Sequence, residues 1–148
     1  MKSLSILAAA FVLGFTAAAA QAGAANAADT ASLTVTFKGV KEKTGAILFT
    51  VVSEEGYDGK APAVAQDMLP VSADTVSKTF TGLAPGRYAI KAFHDVNGDG
   101  KMGTNPFGMP VEPFAFSNNA VGNMGPAKWE AAAFEVKAGA NTQSIDID

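Results

Sequence analysis

The sequence has no cysteine, one histidine and one tryptophan among its 148 residues. Without cysteine there is no disulfide framework and no thiolate for a zinc site. Nor is there a thiol that could carry a lipid after processing of an N-terminal leader. One histidine cannot build a zinc centre without carboxylate partners at suitable spacing. Charge of one sign is also scarce: 11 basic and 14 acidic residues give a formal charge of −3. That mild acidity argues against nucleic acid or an anionic membrane surface as partner. No heptad and no internal repeat is visible.

The one long apolar run lies at the N-terminus. Lys2 precedes an apolar stretch from Leu4 to Phe15, followed by small residues with cleavage triplets at Ala20-Gln21-Ala22 and Ala25-Asn26-Ala27. This is the three-part pattern of a cleavable signal peptide over residues 1–27, with cleavage after Ala22 or Ala27. The run is shorter than the ~20 residues a spanning helix needs, so no stable membrane anchor is expected. The expected product is periplasmic or secreted. Loss of Lys2 leaves 10 basic against 14 acidic side chains, a formal charge of −4. The remainder, residues 28–148, has the size of one domain with one core.

Strand patterns dominate that domain. In Leu33-Thr34-Val35-Thr36-Phe37 apolar residues alternate with threonines, as in a strand with one buried face. Gly45 to Val52 is a β-branched apolar run that suits a central strand. Residues 53–67 read as a loop, with short strands expected at Met68–Val71 and Thr75–Phe80. Ala84-Pro85-Gly86 suits a type II turn with its positive φ at Gly86. In the strand Arg87–His94, Tyr88, Ile90, Ala92 and His94 share one face, opposite Arg87, Ala89, Lys91 and Phe93. Tyr88 is placed to pin a corner between sheets through its hydroxyl. A long loop follows from Asp95 to Trp129, with a short strand near Phe114–Phe116. Glu130–Lys137 and Thr142–Ile147 read as a closing hairpin. The expected fold is all-β: a single antiparallel, immunoglobulin-like sandwich of about seven strands with one long loop.

The segment Asp95-Val96-Asn97-Gly98-Asp99-Gly100-Lys101 carries the clearest chemistry. Alternating oxygen side chains followed by glycine match the first half of a calcium loop, in which Asp95, Asn97, Asp99 and the Lys101 carbonyl converge on one ion. Gly103 and Pro106 then occupy the ninth and twelfth positions, so Glu112 would have to fold back to complete the set. Calcium is the expected ion, held weakly. Asn-Gly and Asp-Gly are also the commonest reverse-turn dipeptides, so the alternative is simply a tight loop.

Catalytic machinery is not evident. His94 sits at a strand end where a hydrogen-bonded rim histidine is the plain explanation, and Ser117 lacks the glycine framing of a nucleophile elbow. The expected protein is not an enzyme. Phe114 and Trp129, with His94, Ser117 and Asn118, are candidate contacts for a small molecule, a glycan or an envelope protein. The alternatives are a carbohydrate-binding module or a hydrolase using His94.

The motif string from Leu83-Ala84-Pro85-Gly86-Arg87-Tyr88 through His94–Lys101, Phe107-Gly108-Met109-Pro110-x-Glu112 and Phe116-Ser117-Asn118-Asn119-Ala120 resembles the exported bacterial family called domain of unknown function 2141. The likeness spans roughly residues 31–147. It implies a transthyretin-like or carboxypeptidase-regulatory-like sandwich and carries no activity with it. The chain departs from the family pattern at Gly103, where an acidic residue is common, and at Pro113-Phe114-Ala115, which replaces a Gly-aromatic-Gly step. The overall expectation is an exported, non-enzymatic accessory or binding module of the cell envelope.

Overall fold

The computed structural model describes residues 30–147; the expected signal peptide and both its cleavage points lie outside them. The described chain forms an all-β sandwich. In chain order the elements are β1 (Ala31–Lys38), β2 (Ala46–Val52), α1 (Glu54–Tyr57), β3 (Ala65–Pro70), β4 (Val76–Leu83), β5 (Gly86–Asp95), β6 (Phe114–Phe116), α2 (Trp129–Ala132), β7 (Phe134–Val136) and β8 (Gly139–Asp146). One sheet has the order β4-β1-β8, the other β3-β2-β5-β6, with β7 pairing the opposite end of β5's free edge. Eight strands replace the expected seven among the described residues, because Phe134–Val136 and Phe114–Phe116 share that edge.

The threonines of β1 do what alternation requires: Leu33, Val35 and Phe37 are fully buried between them. In β2, Ile47, Phe49 and Val51 face the same interior. Phe37 and Phe49 meet edge to face, with ring centroids 5.0 Å apart. Ile90, Ile145 and Ile147 complete this core, and each such side chain contributes about 1.5–3 kcal/mol by leaving water. The Tyr88 hydroxyl donates to the Ala84 carbonyl at 2.7 Å, closing the corner as expected. A second, smaller cluster around Val52, Ala89, Phe116 and Trp129 lies on the other side of the β5 sheet.

Four local expectations are corrected. Gly86 is not left-handed; Gly82 is, with φ +76°. The β1–β4 register there runs from Leu33↔Phe80 to Ala31↔Leu83, so β4 carries one extra residue, and glycine accommodates such a bulge. The expected loop over 53–67 contains α1, capped by the Ser53 hydroxyl accepting from Gly56 N–H at 3.3 Å, and β3 begins at Ala65. Glu130–Lys137 is not one strand: its first half is α2. The closing hairpin does not form either. β7 pairs with β5, while β8 crosses to the other sheet and runs parallel to β1. Asn141 secures that crossing, accepting from Lys137 N–H at 3.0 Å and donating to the Lys137 and Ser32 carbonyls.

Candidate functional site

The two faces of β2 and β5 have different fates. Their inward residues build the sandwich core, whereas Leu48, Thr50, Lys91 and Phe93 point outward, because successive strand residues face opposite sides. Register then aligns them. Leu48 lies opposite Met68 on one side and Phe93 on the other, and Phe93 lies opposite Phe114. An apolar row thus crosses four strands. The adjacent row runs Gln66, Thr50, Lys91, Phe116.

A flap stands over this face. Residues 103–111 fold back on themselves through Val111 N–H to Gly103 C=O and Asn105 N–H to Met109 C=O, both 2.9 Å. The Asn105 carboxamide oxygen accepts from Phe107 and Met109 N–H at the tip. Phe107 is 87% exposed and Met124, further along the loop, fully so. Between flap and sheet lies a cleft of about 1130 Å³ to which Met102, Phe107, Met109 and Met124 contribute. It is somewhat larger than the roughly 300–1,000 Å³ of usual small-molecule sites and, like them, mostly apolar.

Two carboxylates hold the base of the flap. Asp95 is buried; its Oδ1 accepts from Gly98 and Asp99 N–H at 2.8 and 3.1 Å, and its Oδ2 from Gly100 N–H at 2.7 Å. Glu112 reaches back so that Oε1 accepts from Val96 N–H at 3.0 Å and Oε2 from Gly103 N–H at 2.8 Å. The backbone N–H groups of this turn are therefore satisfied by charge-assisted bonds, the stronger kind. Gly98 and Gly100, with φ near +75°, let the chain wrap tightly enough for three N–H groups to converge on one carboxylate.

The five residues expected to surround calcium are thus brought to one turn. The Asn97 side-chain oxygen accepts from Asp99 N–H at 3.0 Å, and Asp99 Oδ1 accepts from Lys101 N–H at 2.9 Å. Glu112 does fold back to the start of the loop, as the spacing required. Among the described residues no three His, Cys, Asp or Glu side chains form a metal-holding group.

The five expected ligand contacts do not share a surface. Only Phe114, 44% exposed, borders the cleft. His94 is buried, with Nε2 2.7 Å from the Thr44 carbonyl; because a carbonyl only accepts, Nε2 carries the proton. Ser117 is fully buried, donating to Ala132 C=O at 2.6 Å and accepting from Ile90 N–H at 2.8 Å. Asn118 is exposed but spends its amide on the carbonyls of Ala131, Ala132 and Ala133. Trp129 is buried beneath Tyr57, edge to face at 5.6 Å, with the Arg87 guanidinium 5.8 Å from its ring. Its indole N–H is buried with no partner. The Tyr57 hydroxyl donates to Ala127 C=O at 2.6 Å, and burial raises its pKa.

The residues sequence reasoning missed are Leu48, Lys91, Met102, Met109 and Met124. Their signal was the outward parity of β2 and β5, where a solvent-facing side carries Leu48 and Phe93. Parity is readable; that one loop would return over that face is not.

Comparison with known proteins yields one match. A family model described as an uncharacterized protein conserved in bacteria (DUF2141) covers residues 35–144. No curated protein and no solved structure matches the chain.

Proposed function

The chain belongs to the uncharacterised bacterial family DUF2141, and from that premise we propose that it is an exported, non-enzymatic module that binds an apolar small molecule. The observation that carries this reading is the row Leu48–Phe93–Phe114 lying beneath a Phe- and Met-bearing flap. Contiguous apolar surface on a domain of this size usually marks a binding site. A non-enzymatic role is supported by His94 and Ser117, both buried and committed to backbone groups. Export, to the periplasm or as a secreted protein, is supported by the leader pattern of residues 1–27.

The neutral fluorophore N-phenyl-1-naphthylamine, added to the purified protein, tests the reading. Saturable one-to-one enhancement is expected, and it should weaken at least tenfold in a Phe107→Ser, Met124→Ser double variant. Both side chains are exposed, so folding is not at stake. Absence of enhancement with the unaltered protein would remove the proposal.

A calcium ion at the Asp95 loop is the second reading, favoured by the side-chain oxygens of Asp95, Asn97 and Asp99 turning onto one short turn. Asp95 Oδ2 and Asp99 Oδ1 each accept a single N–H and retain a lone pair, whereas Asp95 Oδ1 already accepts two. In this reading the Lys101 carbonyl supplies a further oxygen, and Glu112 ties the ion to the flap. At about 10 mM calcium, roughly ten times the weakest affinity of extracellular sites, the protein should gain about 1.4 kcal/mol. A thermal melt unmoved by calcium would end this reading and leave the cleft untouched.

A further inference from the structure

We infer that the occupant of the cleft is a single-chain carboxylate amphiphile, a free fatty-acid-like molecule, with Lys91 as its counter-charge. The inference rests on the cleft reading above and specifies the chemistry of its ligand. Lys91 stands on the same outward face as Leu48 and Phe93, one row along, between Thr50 and Phe116. It is half-buried and borders the cleft. Its amine is held by a bond from Nζ to the Tyr57 carbonyl at 2.8 Å and lies 4.6 Å from the centre of the Tyr57 ring. An ammonium has three N–H donors, so one carbonyl and one ring leave it donor capacity.

What it lacks is a carboxylate. Lys43, Lys60, Lys78 and Lys137 each pair with an acid. Among the described residues no acidic group lies within ion-pair distance of Lys91; Lys38, Lys101, Lys128 and Arg87 have none either, and of these cations only Lys91 lines the cleft. A cation fixed beside apolar surface is poorly solvated, and an anion delivered by a ligand restores what water would supply.

The rest of the lining chooses between anions. A phosphate or nucleotide is usually met by a guanidinium fork or a cradle of backbone N–H groups; the cleft offers one amine. A peptide adding to a sheet needs a free edge, and this is a sheet face. Within the cleft the apolar row Leu48–Phe93–Phe114 spans about 10 Å, two inter-strand spacings of ~4.8 Å, a length suited to a medium-length extended alkyl chain. Met102, Met109 and Met124 are flexible, polarizable side chains that adapt to such a chain without demanding one ring shape.

Calorimetry with decanoate, 1-decanol and decylamine, each below its aggregation limit, tests this with the purified protein. Decanoate should bind at least tenfold more tightly than decanol, and decylamine more weakly than either. Lys91→Met should erase the preference, and Lys91→Arg, which keeps the charge, should retain most of it. Circular dichroism confirms that both variants fold. Equal affinity of the unaltered protein for decanoate and decanol overturns the counter-charge and leaves the apolar cleft standing. A decanoate preference that survives Lys91→Met also overturns it. Binding of none of the three, or a stable dimer with no decanoate uptake, overturns the cleft reading as well.

Discussion

The carbonyl oxygen of Asp95 lies 1.9 Å from the point where a Cβ on Gly45 would stand, so the two residues can be neighbours only because position 45 has no side chain. Gly45 also holds φ +67°, a region costly for other residues. It opens β2 at the level where β5 ends, Ala46 lying opposite Asp95. Gly45→Ala should therefore lose more than about 3 kcal/mol, combining strain with a backbone clash. Urea denaturation measures it; a loss under about 1 kcal/mol would mean that the two strands part easily.

Asp95→Asn should cost about 2–3 kcal/mol, the worth of bonds to a charged acceptor. Asparagine offers one oxygen where three N–H groups converge, and its amide would face a donor. Hydrogen exchange should accelerate at Gly98, Asp99 and Gly100. Glu112→Gln should act on Val96 and Gly103 in the same way at about half the cost. Unchanged protection at Gly98–Gly100 in the Asp95 variant would show that the carboxylate does not hold the turn.

Phe107 and Phe37 separate binding from stability. Phe107→Ala should change stability by no more than about 0.5 kcal/mol, as exposed substitutions do, yet weaken uptake of the neutral fluorophore. Phe37, fully buried, should cost about 3–5 kcal/mol on truncation to alanine. A Phe107→Ala variant that binds normally would take the flap out of the site.

Tyr88→Phe should cost about 1–2 kcal/mol, since it leaves the Ala84 carbonyl without its 2.7 Å donor. The corner between β4 and β5 should then exchange faster than the centre of β5. Equal stability of the two proteins would show that the corner bond contributes nothing beyond packing.

Asp67 on β3 pairs with Lys78 on β4, tying the two sheets at their open edge. The bond from Lys78, then that from Met68 N–H, lowers the carboxyl below its usual value of 3.8. A depressed folded-state pKa means that the pair's contribution is complete above the unfolded value, near pH 4. It fades as pH falls through the lower folded value. The effect should be at most about 1 kcal/mol and shrink with salt, as for exposed pairs. Denaturation at pH 2.5 and 6, with Asp67→Asn as reference, checks it; an acid-labile fraction identical in the variant would assign it elsewhere.

Some of this molecule was legible residue by residue. The alternation in Leu33–Phe37 and the split faces of Arg87–His94 are local patterns, and local sterics enforce them. So are the Tyr88 corner and the alternating oxygens from Asp95, which bond to N–H groups a few positions away. The candidate ligand set fared otherwise. His94, Ser117 and Trp129 were attractive as residue types, but each spends its polar group, or its ring, on packing that only the folded chain reveals.

Strand propensity, the all-β class and the chemistry of the Asp95 turn are thus properties of the chain itself, because each depends on neighbours within a few residues. Which strand meets which is not. β8 leaves β7 to pair in parallel with β1 because the buried faces of Ile145 and Phe37 belong to the same core. The cleft is decided at that same level. Leu48, Phe93 and Phe114 come from three separate segments, and only strand register sets them in one row beneath the flap, with Lys91 beside them.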